Sequence, residues 1–222
     1  MSARERFDDE LKKLQNKLAE LCNFAQQALA KSINAFANRD LNACIEIIDG
    51  DNTADLLYEE INDDSILLIA KQQPVARDLR KIVITIKMAT DFERVADFAV
   101  NIAKSTIRLE EKPDEDVQRV ISRLIRMYEI SNQMLVEGLK AFENEDIQLA
   151  KKVAEMDDEV DDLYGVTIKE LFKLNQEKPD SFDTVTQLLL ICRYLERTAD
   201  HITNVAENVI YLVKGKHFDL NE

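Results

Sequence analysis

Eight acidic residues have the types and spacing to act together. They form four pairs, each four residues apart: Asp51/Asp55, Glu93/Asp97, Asp157/Asp161 and Glu196/Asp200. On a helix, residues i and i+4 lie one turn apart on one face. Two carboxylates placed that way repel, and burial raises the penalty unless a counterion is present. A cation is the counterion such a face invites. Carboxylate oxygens suit hard or borderline ions such as Mg²⁺, Mn²⁺, Ca²⁺ and iron, and the absence of paired thiols disfavours a soft metal. The expected site takes two acids from each of two helices. Asn101 and Asn204, one turn further along, could supply an oxygen ligand or a hydrogen bond to the ligands.

Spacing alone does not single these pairs out. With 43 acids among 222 residues, chance supplies roughly eight pairs at i, i+4, so the pattern needs context. The first context is an internal repeat. Ala35-Phe36-Ala37-Asn38-Arg39-Asp40-Leu41 reads like Ala141-Phe142-Glu143-Asn144-Glu145-Asp146-Ile147, an offset of 106. At that offset Asp51, Asp55 and Tyr58 meet Asp157, Asp161 and Tyr164. Glu93-Arg94-Val95-Ala96-Asp97 meets Glu196-Arg197-Thr198-Ala199-Asp200 at an offset of 103, and Asn101 meets Asn204. The second context is position. Leu79, Ile86, Glu93 and Asp97 share one helical row, and Phe182, Leu189, Glu196 and Asp200 share its counterpart. An apolar row that turns acidic is not an ordinary solvated face. The competing reading pairs Arg77, Arg80, Arg94 and Arg197 with these acids in surface networks, leaving a metal-free helical adaptor.

Other chemistry finds little support. The Glu-x-x-His signature of di-iron bundles is missing. His201 lies five residues after Glu196 and reads as a structural hydrogen-bonder or an added ligand; His217 sits in the tail. No phosphate-cradling glycine loop or nucleophile elbow is visible. Cys22, Cys44 and Cys192 are scattered and read as small core residues in a reducing compartment. Tyr58 and Tyr164 read as packing. The enzymatic alternative is a hydrolase or oxidase using the carboxylates and a metal-activated water.

The elements that must carry the acids are helices. With 4 Gly, 3 Pro and no Trp, the turn chemistry that short strands need is scarce. An apolar seam from Phe7 to Ala28 marks a first helix running to about Ala37. Asp40 suits an N-cap, and a second helix is expected over Leu41–Gln73, ended by Pro74. Further helices are expected over Val75–Leu109, Val117–Phe142, Ile147–Gln176 and Phe182–Val213, with Gly215 as a C-cap. The fold class is therefore all-α: two tandem three-helix bundles, residues 1–110 and 117–215, joined by a charged linker at 110–116 and followed by an unpatterned tail, 216–222. The net charge of −14 works against binding nucleic acid or an anionic membrane surface. No apolar run approaches the roughly 20 residues that span a bilayer, and no signal peptide is visible. A cytoplasmic location is expected.

Three stretches resemble the PhoU family. They are Ala70-Lys71-Gln72-Gln73-Pro74-Val75-Ala76-Arg77-Asp78-Leu79-Arg80, Asp91-Phe92-Glu93-Arg94-Val95-Ala96-Asp97, and Leu195-Glu196-Arg197-Thr198-Ala199-Asp200-His201. The resemblance extends over nearly the whole chain. It implies a two-repeat, six-helix cytosolic regulator of phosphate uptake, not an enzyme, that binds divalent or trivalent metal (iron, manganese, magnesium or zinc), in multinuclear clusters in some members. On the family's E/D-x-x-x-D pattern, Glu93, Asp97, Glu196 and Asp200 match directly, and Asp51, Asp55, Asp157 and Asp161 match the partner motif. Both partner motifs open with Asp, a shorter arm than Glu. The resemblance further implies contact with the ATPase of a phosphate ABC transporter and with a sensor histidine kinase, repression of phosphate-starvation genes, and a homodimer.

Overall fold

A computed structural model describes residues 3–109 and 113–216. Most of the tail and residues 110–112 of the linker, both expected to be unpatterned, lie outside the described residues, as does His217. Among the described residues there is no strand. Eight α-helices form six rods: α1 (Ala3–Asn38), α2 (Leu41–Asp49) continuing into α3 (Asn52–Gln72), α4 (Ala76–Ile107), α5 (Glu115–Asn144), α6 (Ile147–Glu155) continuing into α7 (Asp157–Glu177), and α8 (Phe182–Lys214).

Most boundaries follow the local chemistry. Asp40 and Asp146 cap α2 and α6, accepting hydrogen bonds from the amides of Ala43, Gln148 and Leu149. Asp114 caps α5 through Val117, and Gly215 ends α8 with φ +69°. The expected second and fifth helices are each broken once, which periodicity did not show. The first break falls at Gly50-Asp51 and the second at Met156. Glycine's weak helix propensity would account for the first. Met156 breaks at the equivalent place without a glycine, so the break belongs to the packing of the repeat. Its effect is to start α3 and α7 at the acids, where unpaired backbone amides favour carboxylates.

In each repeat a long first rod packs against a broken second and a long third. One contiguous apolar cluster runs through both repeats, from Leu14, Leu18 and Phe92 to Met127, Leu188 and Ile202. The three cysteines are buried and free, and burial pushes the thiols of Cys22 and Cys192 up to about 12. They are core residues, as expected.

The repeats meet along a seam between α4 and α8. There Phe98 stacks on Tyr194 with ring centroids 6.0 Å apart, and His201 Nδ1 lies 3.0 Å from Asp91 Oδ1. At the 103-residue offset these two contacts are counterparts: Asp91 corresponds to Tyr194 and Phe98 to His201. The seam therefore has approximate twofold symmetry, aromatic on one side and polar on the other.

Candidate metal centre

In the first repeat, α4 presents Glu93 and Asp97 from its half-buried edge, and the first turn of α3 presents Asp55. Each offers a carboxylate oxygen, and these oxygens all lie within 4.8 Å of one another. Asp51 stands at the break before α3. Burial, then Asp97, pushes the Glu93 carboxyl up from its ordinary value. Burial also pushes Asp97 up; Arg94 opposes this, while Asp51 and Asp55 add to it. Arg94 reaches Glu93 at 3.4 Å and Asp97 at 3.0 Å.

In the second repeat the four acids sit deeper on average. Asp157, at the start of α7, is buried, and Thr203 on α8 donates to its Oδ2 at 3.0 Å. Its Oδ1 is buried with no hydrogen-bond partner, and so is Oε2 of Glu196. Arg193 holds the other Glu196 oxygen at 2.8 Å. Burial, reinforced by Asp200, pushes Glu196 up to about 7. Burial pushes Asp157 up to about 6, with Thr203 opposing and Asp161 and Asp200 adding. Asp161 and Asp200 are also raised, burial being the first cause in each. Each repeat thus gathers carboxylates from two helices, charged groups that destabilise one another in the absence of a cation.

The residues fit a metal ion. The donors are all oxygen, they come from two helices per repeat, and in the second repeat two buried oxygens lack partners that an ion would supply. Glu93, Asp97 and Asp55 would hold it in the first repeat with Asp51 alongside. In the second repeat Asp157, Asp161, Glu196 and Asp200 face one another closely enough to repel, but no three of them offer oxygens that all lie within 4.8 Å of one another, so an ion there would have to draw the four acids together.

The competing salt-bridge network forms only in part. Arg94 pairs with the acids, whereas Arg77 reaches Glu145. Arg80 donates to the carbonyls of Tyr211 and Leu212. Arg197 lies over the Phe98 ring, 5.4 Å from its centroid. Two contributors went unrecognised in the sequence. Arg193 stands three residues before Glu196, a spacing that signalled an ion pair. Thr203 had no signal, because its role depends on α7 packing against α8. One expected position is corrected: Asn204 turns to Asp91 at the seam. His201 bonds the same carboxylate, which is the structural hydrogen-bonding role of its two expected readings.

Comparison with known proteins identifies the family. The PhoU domain model matches residues 18–106 and again 124–209. The chain belongs to the PhoU family. The two PhoU matches cover both acid clusters. The chain is 36% identical to the phosphate-specific transport system accessory protein PhoU homolog of Clostridium acetobutylicum, covering 97% of this chain and 98% of that one. It is 34% identical to the homolog of Rhizobium meliloti, covering 94% and 87%. Among solved structures, it superposes on the phosphate transport system regulatory protein PhoU from Streptococcus pneumoniae with a TM-score of 0.89, at 29% identity and 96% and 99% coverage. PhoU from Pseudomonas aeruginosa gives 0.85 at 30% identity, covering 95% and 100%.

Proposed function

We propose that this protein is a phosphate transport accessory protein that regulates phosphate uptake and phosphate-starvation signalling, and that bound metal holds it in its working shape. The observation that carries this reading is the pair of duplicated carboxylate clusters, on a chain that aligns over most of its length with proteins named as accessories of a phosphate-specific transport system. An ion in each cluster neutralises up to four carboxylates and fastens the broken second rod to the third. Residues 1–110 and 117–215 act as the two metal-binding units. The helical surfaces then engage the transporter ATPase and a sensor histidine kinase, in the cytoplasm and as a homodimer. The action is non-enzymatic, through binding. The ion is iron, manganese, magnesium or zinc, and the four-acid sets leave room for more than one per site.

The test is element analysis of the purified protein with and without the double substitution Asp97→Ala, Asp200→Ala. Loss of most of the bound metal is expected; equal metal content in the two proteins would reject these ligands. The second reading is a metal-free adaptor, favoured by the Arg94 ion pairs in the first cluster. It predicts a thermal midpoint that chelators leave unchanged, because a ligand bound only by the native state must raise stability.

A further inference from the structure

The two repeats serve as controls for each other at a second place, the groove between the first rod and the short helix that follows it. In the first repeat this groove lies between α1 and α2, encloses about 300 Å³ and has an apolar floor of Phe24, Ala28 and Ile47. At the 106-residue offset, Ala28, Ala43 and Gly50 correspond to Met134, Leu149 and Met156. Those three aliphatic side chains pack into the second repeat's core. Phe24 in place of Ile130 returns only part of the lost bulk. Burial follows: Ile130 and Met134 are 3% and 0% exposed, whereas their counterparts Phe24 and Ala28 are only half-buried.

The rim differs in the same sense. In the second repeat Lys152 closes on Glu137 at 3.0 Å. The first repeat carries the same two charges with polarity reversed, Lys31 opposite Glu46, and both residues line the groove. They form no ion pair with each other. A cleft emptied of aliphatic bulk and flanked by one open cation and one open anion is complementary to a polypeptide segment with the opposite pattern.

We infer that the α1–α2 groove is a docking site for a segment of a partner protein. That segment inserts aliphatic side chains where Met134, Leu149 and Met156 stand in the second repeat, and places an acidic residue against Lys31 and a basic one against Glu46. The partner is a component of the phosphate transport system, which rests on the function proposed above. The second repeat, already filled and closed, takes no such segment.

Two variants test this in the full-length protein. The first, Ala28→Met/Ala43→Leu/Gly50→Met, grafts the second repeat's side chains into the groove. Gly50 has φ −85° and Met156 φ −74°, so the backbone already suits the larger residue, and a Cβ at Gly50 would be tight only against the Glu46 carbonyl, at 3.3 Å. The second, Lys31→Glu/Glu46→Lys, copies the closed ion pair and changes only the surface. Binding to the purified ATP-hydrolysing subunit of the cognate transporter is measured by calorimetry, beside the thermal midpoint. Each variant is expected to weaken binding at least tenfold while the midpoint of the charge-swapped protein stays within a few degrees of wild type. Wild-type binding that neither variant alters would overturn the groove. Absence of wild-type binding would reject the transporter as partner, and a photocrosslinker at Gln27 in living cells then decides the groove itself. An adduct with another protein, lost in the filled variant, supports it. No adduct, or an adduct with a second copy of this chain, overturns it.

Discussion

Glu196→Gln should stabilise the metal-free protein and lose that advantage when metal is bound. Glu196 is 12% exposed at its side chain, one oxygen lacks a partner, and burial with Asp200 nearby lifts its carboxyl from 4.5 to about 7. For a carboxylate whose native pKa is raised, the unfolded state ionises first. Stability is therefore lost as pH rises between roughly 4.5 and 7, and is unaffected below that window. Every tenfold difference in proton affinity between the two states is worth about 1.4 kcal/mol. Holding Glu196 ionised at pH 8 thus costs the metal-free fold up to about 3 kcal/mol; at pH 5, where the native group keeps its proton and the unfolded one has mostly lost it, the cost is about 1 kcal/mol. In chelator at pH 8 the Gln variant should be the more stable protein, by as much as about 6–12 °C in thermal midpoint for a chain of this length. At pH 5 most of that gain should vanish. With Mn²⁺ at 100 times its dissociation constant, the wild type gains about 2.7 kcal/mol, the variant much less, and the variant's advantage at pH 8 should shrink to near zero. Urea denaturation in chelator and in Mn²⁺ at both pH values measures all four quantities. A gain at pH 8 no larger than at pH 5 would refute the buried charge. A wild type that gains nothing from metal, while the Gln variant behaves alike, would refute its role as a ligand.

Thr203→Val copies Val100, its first-repeat counterpart, and removes the bond that orients Asp157. It should weaken metal binding at the second site by about 10–100-fold and leave the first unchanged, as two-site titration calorimetry would show. Metal affinity should rise with pH between 6 and 7, because binding must displace the protons held by Asp157 and Glu196; titrations in two buffers of different ionisation enthalpy count the protons released. At the seam, Asp91→Tyr and His201→Phe should each destabilise. Together they recreate the Phe98–Tyr194 contact and should recover about 1–2 kcal/mol relative to the sum of the singles in a double-mutant cycle.

The architecture was legible because the chain is locally consistent: prolines and acidic caps punctuate long periodic stretches, and the repeat supplies a second copy of each signal. The breaks at Gly50-Asp51 and Met156 were not legible. The hydrophobic period passes through both, and a methionine announces no helix end. The acid pairs could be found because both helices of each cluster carry them at matching offsets. The surroundings of those pairs were harder. Arg197, adjacent in sequence to Glu196, turns to Phe98, while Arg193 takes the ion pair from one turn away. Thr203 meets Asp157 across 46 positions of sequence, a contact only the packing of α7 on α8 creates.

The seam between α4 and α8 decides which half recognises which. Two first halves brought together in this geometry would set Asp91 against Phe98, and two second halves would set Tyr194 against His201. The first pairing takes from Asp91, a carboxylate that is 8% exposed, its imidazole partner twice over and leaves it only an Asn101 amide in the place of Asn204, a lost hydrogen bond to a charged group worth about 1.5–3 kcal/mol each time. The second leaves the imidazole facing a ring in place of its acid. Only the mixed pairing satisfies both contacts. The copies in this chain have thereby become complementary rather than interchangeable: separated, each half would select the other over itself.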